Sequence, residues 1–451
     1  MKLRRYLKSK PSGVVLLGDV PEHWSARRLK FEVTKVGSGV TPTGGAESYE
    51  PAGIPLLRSQ NIHFSGLVLD DVVFISAETH DSMANSKVRP RDVLLNITGA
   101  SIGRCCVFGS KSEEANVNQH VCIIRPGSDL DDRFLSFVLR ADFGQKQIEA
   151  SQTGSGREGL TFEEIKNFFI PLPSITEQQQ IAAFLDWKTG KIDTLIARKQ
   201  ELLEKLGEKR LAVITQAVTR GLNPDAPLRD PNIPWLKLVP KHWDVIPLGF
   251  LITMSGGLTP SMANPEYWEG DIPWVTPKDM KQPRVSDSID HVTEKALAET
   301  ALSLIPINTI LVVVRGMILA HSFPTAITEK PVTINQDMKA FRAGDKLEVD
   351  YLFWCLAGFG KVFSALAQES AHGTRKMETE TIKKFAFPVP PKDEQKAIAR
   401  HLDKEMKRLD ALSLATKNTI ERLTEYRIAL ITAATTGKID VRGVRIPRSA
   451  A

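Results

Sequence analysis

The chain has 451 residues, of which 42% are hydrophobic and 25% are charged, and its formal net charge is +6. This composition is ordinary for a soluble globular protein, the length predicts about two to four domains, and the positive charge weakly favours an anionic partner. No stretch approaches roughly 18 consecutive apolar residues and the basic N-terminus lacks an apolar signal segment, which argues against a membrane span and predicts a cytoplasmic protein.

The predicted elements occur twice in the chain. The segment VPEHW at residues 20–24 returns as VPKHW at 239–243, and PLPSITEQQQIAAFL at 171–185 returns as PVPPKDEQKAIARHL at 388–402. Further matched pairs lie between these in the same order, and the offset changes only from 219 to 217 residues. A near-constant offset over this length indicates an internal duplication of about 220 residues.

Each copy begins with a region of short apolar runs broken by Gly, Pro, Asn and Asp. Runs such as DVLLNITG at 92–99 and TILVVVRG at 309–316 predict buried strands. Longer stretches, at 132–151 and 349–370, predict helices. The sequence therefore predicts an α+β fold with a mainly β domain in each copy.

Each copy ends in a predicted long helix that follows a Pro-x-Pro segment. Thr176 suits the N-cap of the first helix, and Asp393 occupies the same position in the second. Alternatively, Ser174 with Glu177 forms a capping box. Apolar residues recur at seven-residue spacing and form a predicted seam: Ile181, Leu185, Ile192, Leu195, Leu202, Leu206, Ile398, Leu402, Leu409, Leu412, Leu423 and Leu430. This spacing favours coiled-coil packing between the copies, with Ile181 expected against Ile398. The alternative is that each helix packs on its own domain.

No active site is recognisable, and we predict neither catalytic residues nor metal ligands. The four cysteines lack CxxC spacing and a histidine cluster, which predicts buried free thiols. NPEYW at 264–268 departs from a methyltransferase loop at Glu266, and TGSGREG at 153–159 lacks the ending of a phosphate-binding loop. DEQK at 393–396 lies at a helix start, where acidic residues favour the helix dipole.

Two similar domains held apart by paired helices can contact two points on an extended partner, and DNA fits the positive charge. Arg and Lys pair with guanine or phosphate, and Asn and Gln pair with adenine. Predicted loops supply these candidates for DNA binding: Arg58, Gln60, Asn61, Asn96, Thr98, Arg104 and Arg157 in the first copy, and Lys278, Asp279, Arg315, Arg375 and Lys376 in the second. The pairs Asn118–Gln119 and Asn335–Gln336 occur in both copies and are equally suited to stabilising the fold.

The chain resembles the specificity (S) subunit of type I restriction-modification systems. The resemblance spans about residues 20–437 and rests on the Pro-x-Pro helix start with its Glu-Gln pair, the two PxHW segments, the GxTP segments at 39–42 and 257–260, and the two-copy plan. It implies two mainly β target recognition domains separated by two long helices that form an antiparallel coiled coil. Each domain would read one half of a bipartite DNA target in the major groove.

The resemblance also implies the partners. The helices would set the half-site spacing and bind two methyltransferase (modification) subunits, with restriction subunits joining that complex. The chain would be non-catalytic, and S-adenosylmethionine, ATP and Mg²⁺ would belong to the partner subunits. The alternative function is a two-domain protein-binding scaffold without a DNA role; a fused methyltransferase or endonuclease would need motifs that the sequence lacks.

The predicted boundaries follow from the repeat and the breaker-rich segment NPDAPLRDPNIPW. They are an N-terminal segment at 1–19, a first recognition domain at 20–173, a central spacer helix at 174–221, a linker at 222–238, a second recognition domain at 239–390, a C-terminal spacer helix at 391–436 and a tail at 437–451.

Overall fold

The computed structural model describes residues 4–109, 114–152, 159–369 and 373–447. The chain forms two compact units: the first comprises Met1–Gln200 and Lys417–Ala451, and the second comprises Glu201–Thr416. Each unit contains a mainly β domain and one segment from each of two long helices. The predicted α+β fold class is therefore confirmed, whereas the exact domain boundaries stay a prediction.

The described part of the first unit contains the strands β1 (Ser9–Pro11), β2 (Asp19–Pro21), β3 (Ser25–Arg28), β4 (Val33–Ser38), β5 (Ile54–Leu57), β6 (Ile62–His63), β7 (Gly66–Leu67), β8 (Val73–Ile75), β9 (Val93–Asn96), β10 (Cys105–Val107), β11 (Asn116–Val117), β12 (Val121–Pro126) and β13 (Phe169–Leu172). The main sheet is antiparallel, in the order β10-β9-β12-β4. A second sheet has the order β11-β5-β8, and β11 runs parallel to β5. Strand β13 pairs with β3, so the end of the domain returns to its beginning.

Both faces of the main sheet are covered, because alternate residues of a strand point to opposite faces. Cys122 and Ile124 pack with the helices of the first unit, whereas Val121 and Ile123 belong to a separate apolar cluster. All four side chains are fully buried. Burial on both faces explains why this strand is a continuous apolar run in the sequence.

The described part of the second unit contains the strands β14 (Leu228–Arg229), β15 (Val239–Pro240), β16 (Asp244–Pro247), β17 (Ile252–Gly256), β18 (Trp268–Val275), β19 (Arg284–Val285), β20 (Asp290–Val292), β21 (Ile310–Val313), β22 (Arg315–Gly316), β23 (Thr325–Thr328), β24 (Thr333–Ile334), β25 (Met338–Ala343), β26 (Gln368–Glu369), β27 (Arg375–Lys376) and β28 (Ala386–Val389). Its main sheet has the order β17-β25-β21-β23-β19. Ile310 and Val312 pack into one core and Leu311 into another, so this sheet is also covered on both faces.

The α-helices within the described residues are α1 (Ala77–Ser82), α2 (Asp132–Arg140), α3 (Asp142–Gln152), α4 (Phe162–Asn167), α5 (Ile175–Arg220), α6 (Glu294–Glu299), α7 (Val349–Gly358), α8 (Gly360–Leu366), α9 (Thr379–Lys384) and α10 (Lys392–Thr435). Helices α5 and α10 are the predicted long helices, but Thr176 and Asp393 lie inside their first turns, so the prediction that these two residues are N-caps was wrong. Ser174 precedes α5, and its hydroxyl accepts a hydrogen bond from the N–H of Glu177 at 3.4 Å, as the alternative proposed.

The first long helix is joined to its domain by a fully buried glutamine, Gln178. Its Oε1 accepts a hydrogen bond from the backbone N–H of Asp131 at 2.9 Å, and its Nε2 donates to the carbonyls of Asp129 at 2.9 Å and Pro173 at 3.0 Å. Asp131 is also the N-cap of α2, where its Oδ1 accepts from the N–H of Phe134. One amide therefore connects the start of α5 to the start of α2.

The second long helix repeats this connection through Gln395, which is also fully buried. Its Oε1 accepts from the backbone N–H of Glu348, and its Nε2 donates to the carbonyls of Lys346 and Pro390, each at 2.8 Å. The glutamine of the repeated Glu-Gln pair thus has the same structural role in both copies.

The glutamate of the same pair binds the histidine of the VPxHW segment. His23 Nε2 lies 2.9 Å from Glu177 Oε2, and His242 Nε2 lies 2.9 Å from Glu394 Oε2. In the first unit the hydroxyl of Tyr6 also donates to Glu177 Oε1 at 2.7 Å. Burial and this bond to the carboxylate raise the pKa of Tyr6 above its usual value. The acidic residues at the helix starts therefore hold the beginning of each domain in place.

The two long helices run antiparallel. In the first unit Arg427 of α10 donates to both carboxylate oxygens of Asp193 of α5, at 2.7 and 3.2 Å. In the second unit Arg210 of α5 forms an ion pair with Asp410 of α10. Within the first unit, Gln180 near the start of α5 also donates to the carbonyl of Arg442, beyond the end of α10, at 2.6 Å. Residue numbers rise from Gln180 to Asp193 and fall from Arg442 to Arg427, so the two helices have opposite directions there.

The antiparallel arrangement corrects one part of the predicted seam. Ile181 lies in the core of the first unit together with Leu430, and Ile398 lies in the core of the second unit together with Leu206. Ile181 therefore does not contact Ile398. The reason is geometric: antiparallel pairing brings the start of one helix against the end of the other. The first turns also pack on their own domains, as the alternative proposed.

The predicted seam residues differ in burial. Those that are buried are Ile181, Leu185, Ile192, Leu206, Ile398, Leu402, Leu409 and Leu430, and those that are partly buried are Leu202 and Leu423. Leu195 and Leu412 are 42% and 45% exposed, and the prediction for these two was wrong. In the heptad row of Leu195 the preceding residue is Lys188, whose charge needs solvent, so this part of the row lies at the edge of the contact.

All four cysteines are buried and unpaired. Burial raises the pKa of the Cys105, Cys106 and Cys122 thiols to about 12 and shifts that of Cys355 in the same direction, so these thiols remain protonated at neutral pH. Among the described residues no single helix meets the length and hydropathy required to cross a membrane; the bent pair α7 and α8 meets them jointly, and its apolar side chains form part of the core of the second unit.

We predict that Leu430→Ala lowers the free energy of unfolding of the first unit by about 2–5 kcal/mol, because it removes buried methyl groups from a packed helix contact. Leu412→Ala on the same helix is the matched control and should change stability by less than about 1 kcal/mol, since Leu412 is nearly half exposed. Urea denaturation followed by circular dichroism measures both. Equal losses would contradict the assignment of the central and edge rows.

Candidate nucleic-acid interface

Five loops meet at one edge of the first domain, which we call the first rim; it comprises residues 39–42, 58–61, 96–101, 118–120 and 159–160. They meet because β4, β5, β9 and β11 all end at this edge and β12, which is antiparallel to β4 and β9, begins there. Backbone hydrogen bonds tie the loops together, from the N–H of Asn118 to the carbonyl of Leu57 at 3.0 Å and from Leu160 to Ile97 at 2.8 Å.

Side chains add further links across the first rim. The hydroxyl of Thr98 is hydrogen-bonded to His120 Nδ1 at 2.7 Å, and the hydroxyl of Thr41 donates to the amide oxygen of Gln119. Gln119 Nε2 in turn lies 3.1 Å from His120 Nε2. The rim is therefore a connected scaffold whose outermost side chains face solvent.

Two predicted DNA-binding residues of the first copy are part of this scaffold instead. Asn61 is buried; its Oδ1 accepts from the N–H of Arg58 and its Nδ2 donates to the carbonyl of Val68, both at 2.9 Å. Asn96 is fully buried and donates to the carbonyl of Ser59 at 2.8 Å. The structure corrects the prediction for both residues, because their amides close the loops and cannot reach a partner.

Two other candidates of the first copy, Arg58 and Gln60, lie side by side on the first rim. Arg58 Nη2 and Gln60 Nε2 both donate to the carbonyl of Asp71, at 2.9 and 3.4 Å, which positions these two side chains together. Arg104 is exposed at the turn between β9 and β10. Arg157 lies outside the described residues.

The second domain has an equivalent edge, the second rim, which comprises residues 257–260, 276–281, 314–318, 335–337 and 373–377. The N–H of Asn335 donates to the carbonyl of Val275 at 3.1 Å, as Asn118 does to Leu57, and the hydroxyl of Thr259 donates to Gln336 as Thr41 does to Gln119. The duplicated Asn-Gln pairs therefore hold the two rims in the same way.

Of the second-copy candidates, Asp279 has a structural role. Its Oδ2 accepts from the N–H and the hydroxyl of Thr276, each at 2.8 Å, and its Oδ1 accepts from the N–H of Ile289 at 3.0 Å. Both carboxylate oxygens are used within the loop, and the prediction of DNA contact is corrected. Lys278, the preceding residue, is exposed at the tip of this loop.

The remaining second-copy candidates lie on two paired strands. Arg315 of β22 is paired with Lys376 of β27, and both are exposed. Arg375 is half-buried and donates to the carbonyl of Ser364 at 3.3 Å, while Lys376 forms a 2.8 Å ion pair with Glu378. This part of the second rim is the more basic one.

Sequence reasoning missed several residues of the rims. His120 was not singled out, although it directly follows the duplicated Asn-Gln pair. Met317 and Ile318 lie on the second rim and are 67% and 43% exposed. In the sequence these two residues could have been recognised as a large apolar pair directly after Arg-Gly, because the first copy has the smaller residues Ala100 and Ser101 at the equivalent positions. Throughout the ranges that the structure describes, no group of three or more His, Cys, Asp or Glu residues could hold a metal ion.

Comparison with solved structures gives the same architecture. A chain from a structure described as the basis of complex assembly and conformational transition of the type I R-M system matches with a TM-score of 0.74 at 18% identity, covering 93% of this chain and 99% of the other. The HsdS subunit from Thermoanaerobacter tengcongensis matches with a TM-score of 0.56 at 17% identity, covering 93% and 98%. At these identities the matches establish the fold alone.

Curated relatives are named specificity subunits. The Escherichia coli EcoR124I/EcoR124II specificity subunit is 37% identical over 158 residues, which is 35% of this chain and 39% of the relative. The putative MjaX specificity subunit of Methanocaldococcus jannaschii is 23% identical over 444 residues, 94% and 96% of the two chains. The first match thus spans less than half of its relative, and the second spans nearly all.

The family model for the type I restriction modification DNA specificity domain matches residues 21–205 and 240–422. Two matches of this length cover most of the chain and follow the duplication. The predicted resemblance is confirmed, as is the prediction that the chain is a recognition component and not a catalytic one. The chain belongs to the family of type I restriction-modification specificity subunits.

Proposed function

We propose that this chain is the DNA-recognition subunit of a type I restriction-modification complex, in which each rim reads one half of a bipartite DNA target in the major groove. The observation that carries the proposal is the duplicated rim: the two rims share their internal hydrogen bonds and differ at their exposed tips. A common scaffold with different tips is what recognition of two different half-sites requires. The exposed cations Lys278, Arg315 and Lys376 of the second rim also favour a nucleic-acid partner over a protein partner.

The equivalent loops after β9 and β21 illustrate the difference. The first rim has Thr98-Gly-Ala-Ser101, and the second has Arg315-Gly-Met-Ile318. An arginine can pair with guanine or a phosphate, whereas a threonine hydroxyl makes shorter and less selective contacts. The two rims therefore favour different base sequences.

Activity would require partner subunits. We propose that methyltransferase subunits supply the chemistry and bind S-adenosylmethionine, and that ATP and Mg²⁺ belong to restriction subunits. This chain's residues would position the DNA.

We predict that Arg58→Ala alters the first half-site alone and Arg315→Ala alters the second alone. Loss of a paired arginine should reduce discrimination at that position by about 1–3 kcal/mol. Methylome sequencing of cells that co-express the chain with its methyltransferase measures each half-site separately. Asn61→Ala is the control: it should destabilise the first domain and lower overall methylation without changing sequence preference. Equal changes at both halves would refute the assignment of rims to half-sites.

The long helices are proposed to set the distance between the half-sites. At about 1.5 Å per residue, a helix of this length spans roughly 70 Å, and its antiparallel partner stiffens it. A change in helix length should therefore change the unread DNA between the half-sites.

We predict that inserting seven residues after Gln200 and seven after Thr416 lengthens that unread spacer by about three base pairs, because two helical turns add about 10.5 Å and DNA rises about 3.4 Å per base pair. Seven residues preserve the heptad rows. Methylome sequencing gives the spacer directly, and the same insertion after Val444, outside the helices, is the control. If the spacer is unchanged in the double-insertion variant, the helices do not set the distance between the half-sites.

Each half also exposes a phenylalanine at an equivalent position. Phe31 and Phe250 are 66% and 86% exposed, and each ends a 3-10 turn whose first residue, Leu29 or Leu248, is fully buried. Both turns precede the strand that ends at the rim, so the rings lie at the opposite end of that strand. We propose that each phenylalanine anchors one modification subunit, because two copies of the same partner would bind equivalent surfaces on the two halves of the chain.

We predict that Phe31→Ser or Phe250→Ser reduces the complex from two modification subunits to one, and that the double variant binds neither at micromolar concentration. A central aromatic anchor typically contributes about 2 kcal/mol or more, roughly 30-fold in affinity. Light scattering of the co-purified complex gives the stoichiometry. Leu7→Ser is the control, because Leu7 is an exposed leucine whose equivalent in the second copy is Ala226, so it cannot form a duplicated anchor. Full stoichiometry in the double variant would rule out this docking surface.

A further inference from the structure

We propose that Met317 and Ile318 form an apolar reading tip that contacts the 5-methyl group of a thymine in the second half-site. The inference rests on the proposed function of the second rim. It adds the kind of base that this rim selects and the residues that select it.

The tip is built to expose its two apolar side chains. Residues Met317–Ala320 form a 3-10 turn in which Leu319 is fully buried, so Leu319 anchors the turn in the core. Gly316 enters the turn with a φ of 139°, which only glycine readily adopts, and this fixes the direction of the tip. Because Leu319 supplies the packing of the turn, the exposed surfaces of Met317 and Ile318 are free to contact a partner.

The positively charged residues beside this tip favour contact with nucleic acid. Arg315 directly precedes the turn and is paired with Lys376 on β27, while Gly316 is paired with Arg375. In a DNA groove, phosphates lie on both sides of the base edges. The cations can therefore contact the phosphates while the apolar tip contacts the base edges. In the major groove, the thymine methyl is the apolar group that base edges present, and apolar side chains recognise it.

The first rim provides an internal comparison. At the positions equivalent to Met317 and Ile318 it has Ala100 and Ser101, and Thr98 replaces Arg315. A methyl and a hydroxyl extend less far than the side chains of methionine and isoleucine. The second rim therefore presents the longer apolar surface at this loop, and we assign the contact with the thymine methyl to it.

The test uses the full chain reconstituted with its methyltransferase subunits and duplexes that carry the site found by methylome sequencing. Each thymine of the second half-site, on either strand, is replaced in turn by deoxyuridine, which keeps the base pairing and lacks the methyl group. Wild-type affinity should fall about fourfold at one of these positions, the factor expected for one buried methyl group. The Met317→Ala, Ile318→Ser double variant should bind thymine and uracil duplexes equally.

The matched control is Ala100→Ser in the first rim, which should retain the wild-type response to uracil in the second half-site. A second half-site without thymine on either strand overturns the proposal, as does a wild-type complex that is indifferent to uracil. A uracil penalty that persists in the double variant also overturns it. If the double variant instead loses its methyltransferase subunits while wild-type DNA shows no uracil penalty, the tip is a protein contact. Failure of the proposed function is distinct, because the wild-type complex would then show no sequence preference.

Discussion

The buried glutamine at the start of each long helix is the interaction on which the arrangement of each unit depends. Gln178 and Gln395 each bond three backbone groups from a fully buried position. Leaving such a group unpaired costs about 1–3 kcal/mol, so the connection tolerates little change. A glutamate of the same length could accept but not donate, and a shorter asparagine would not reach as far. Within each unit this side chain acts with the Glu–His contact at the same helix start to fix the direction of the helix relative to its domain.

In each unit the domain packs against segments of both long helices. Each unit takes the first half of the helix that follows its own domain and the second half of the other helix. The central rows are apolar where they meet, and ion pairs such as Asp193 with Arg427 lie beside them. Partly exposed ion pairs contribute little stability but disfavour other registers. The helices thus combine an apolar contact with charge pairs that specify how they align.

Much of this architecture could be predicted from the sequence. The internal duplication indicates that one fold occurs twice, and the seven-residue spacing of apolar residues indicates that the long helices pack against another helix. The error at Ile181 and Ile398 arose because periodicity identifies which face of a helix is buried but carries no direction for its partner. The errors at Asn61 and Asp279 have a different cause: short polar side chains in loops often bond their own backbone, and composition alone cannot distinguish such a residue from one that faces a ligand. Met317 was missed because a search for polar base contacts passes over apolar ones.

The division between scaffold and tip explains how one fold can serve two half-sites. The bonds of Thr41 with Gln119 and of Thr259 with Gln336 are the same in both rims, and they use groups that point along the rim. The tips beyond them contribute little to the core, as the exposure of Met317 above the buried Leu319 demonstrates. Substitution at an exposed tip therefore changes what the rim contacts while leaving the free energy of folding almost unaltered. Residues that close the loops lack this freedom, since each change leaves a buried polar group unpaired. Sequence preference in such a domain can vary widely only at the positions that folding does not use.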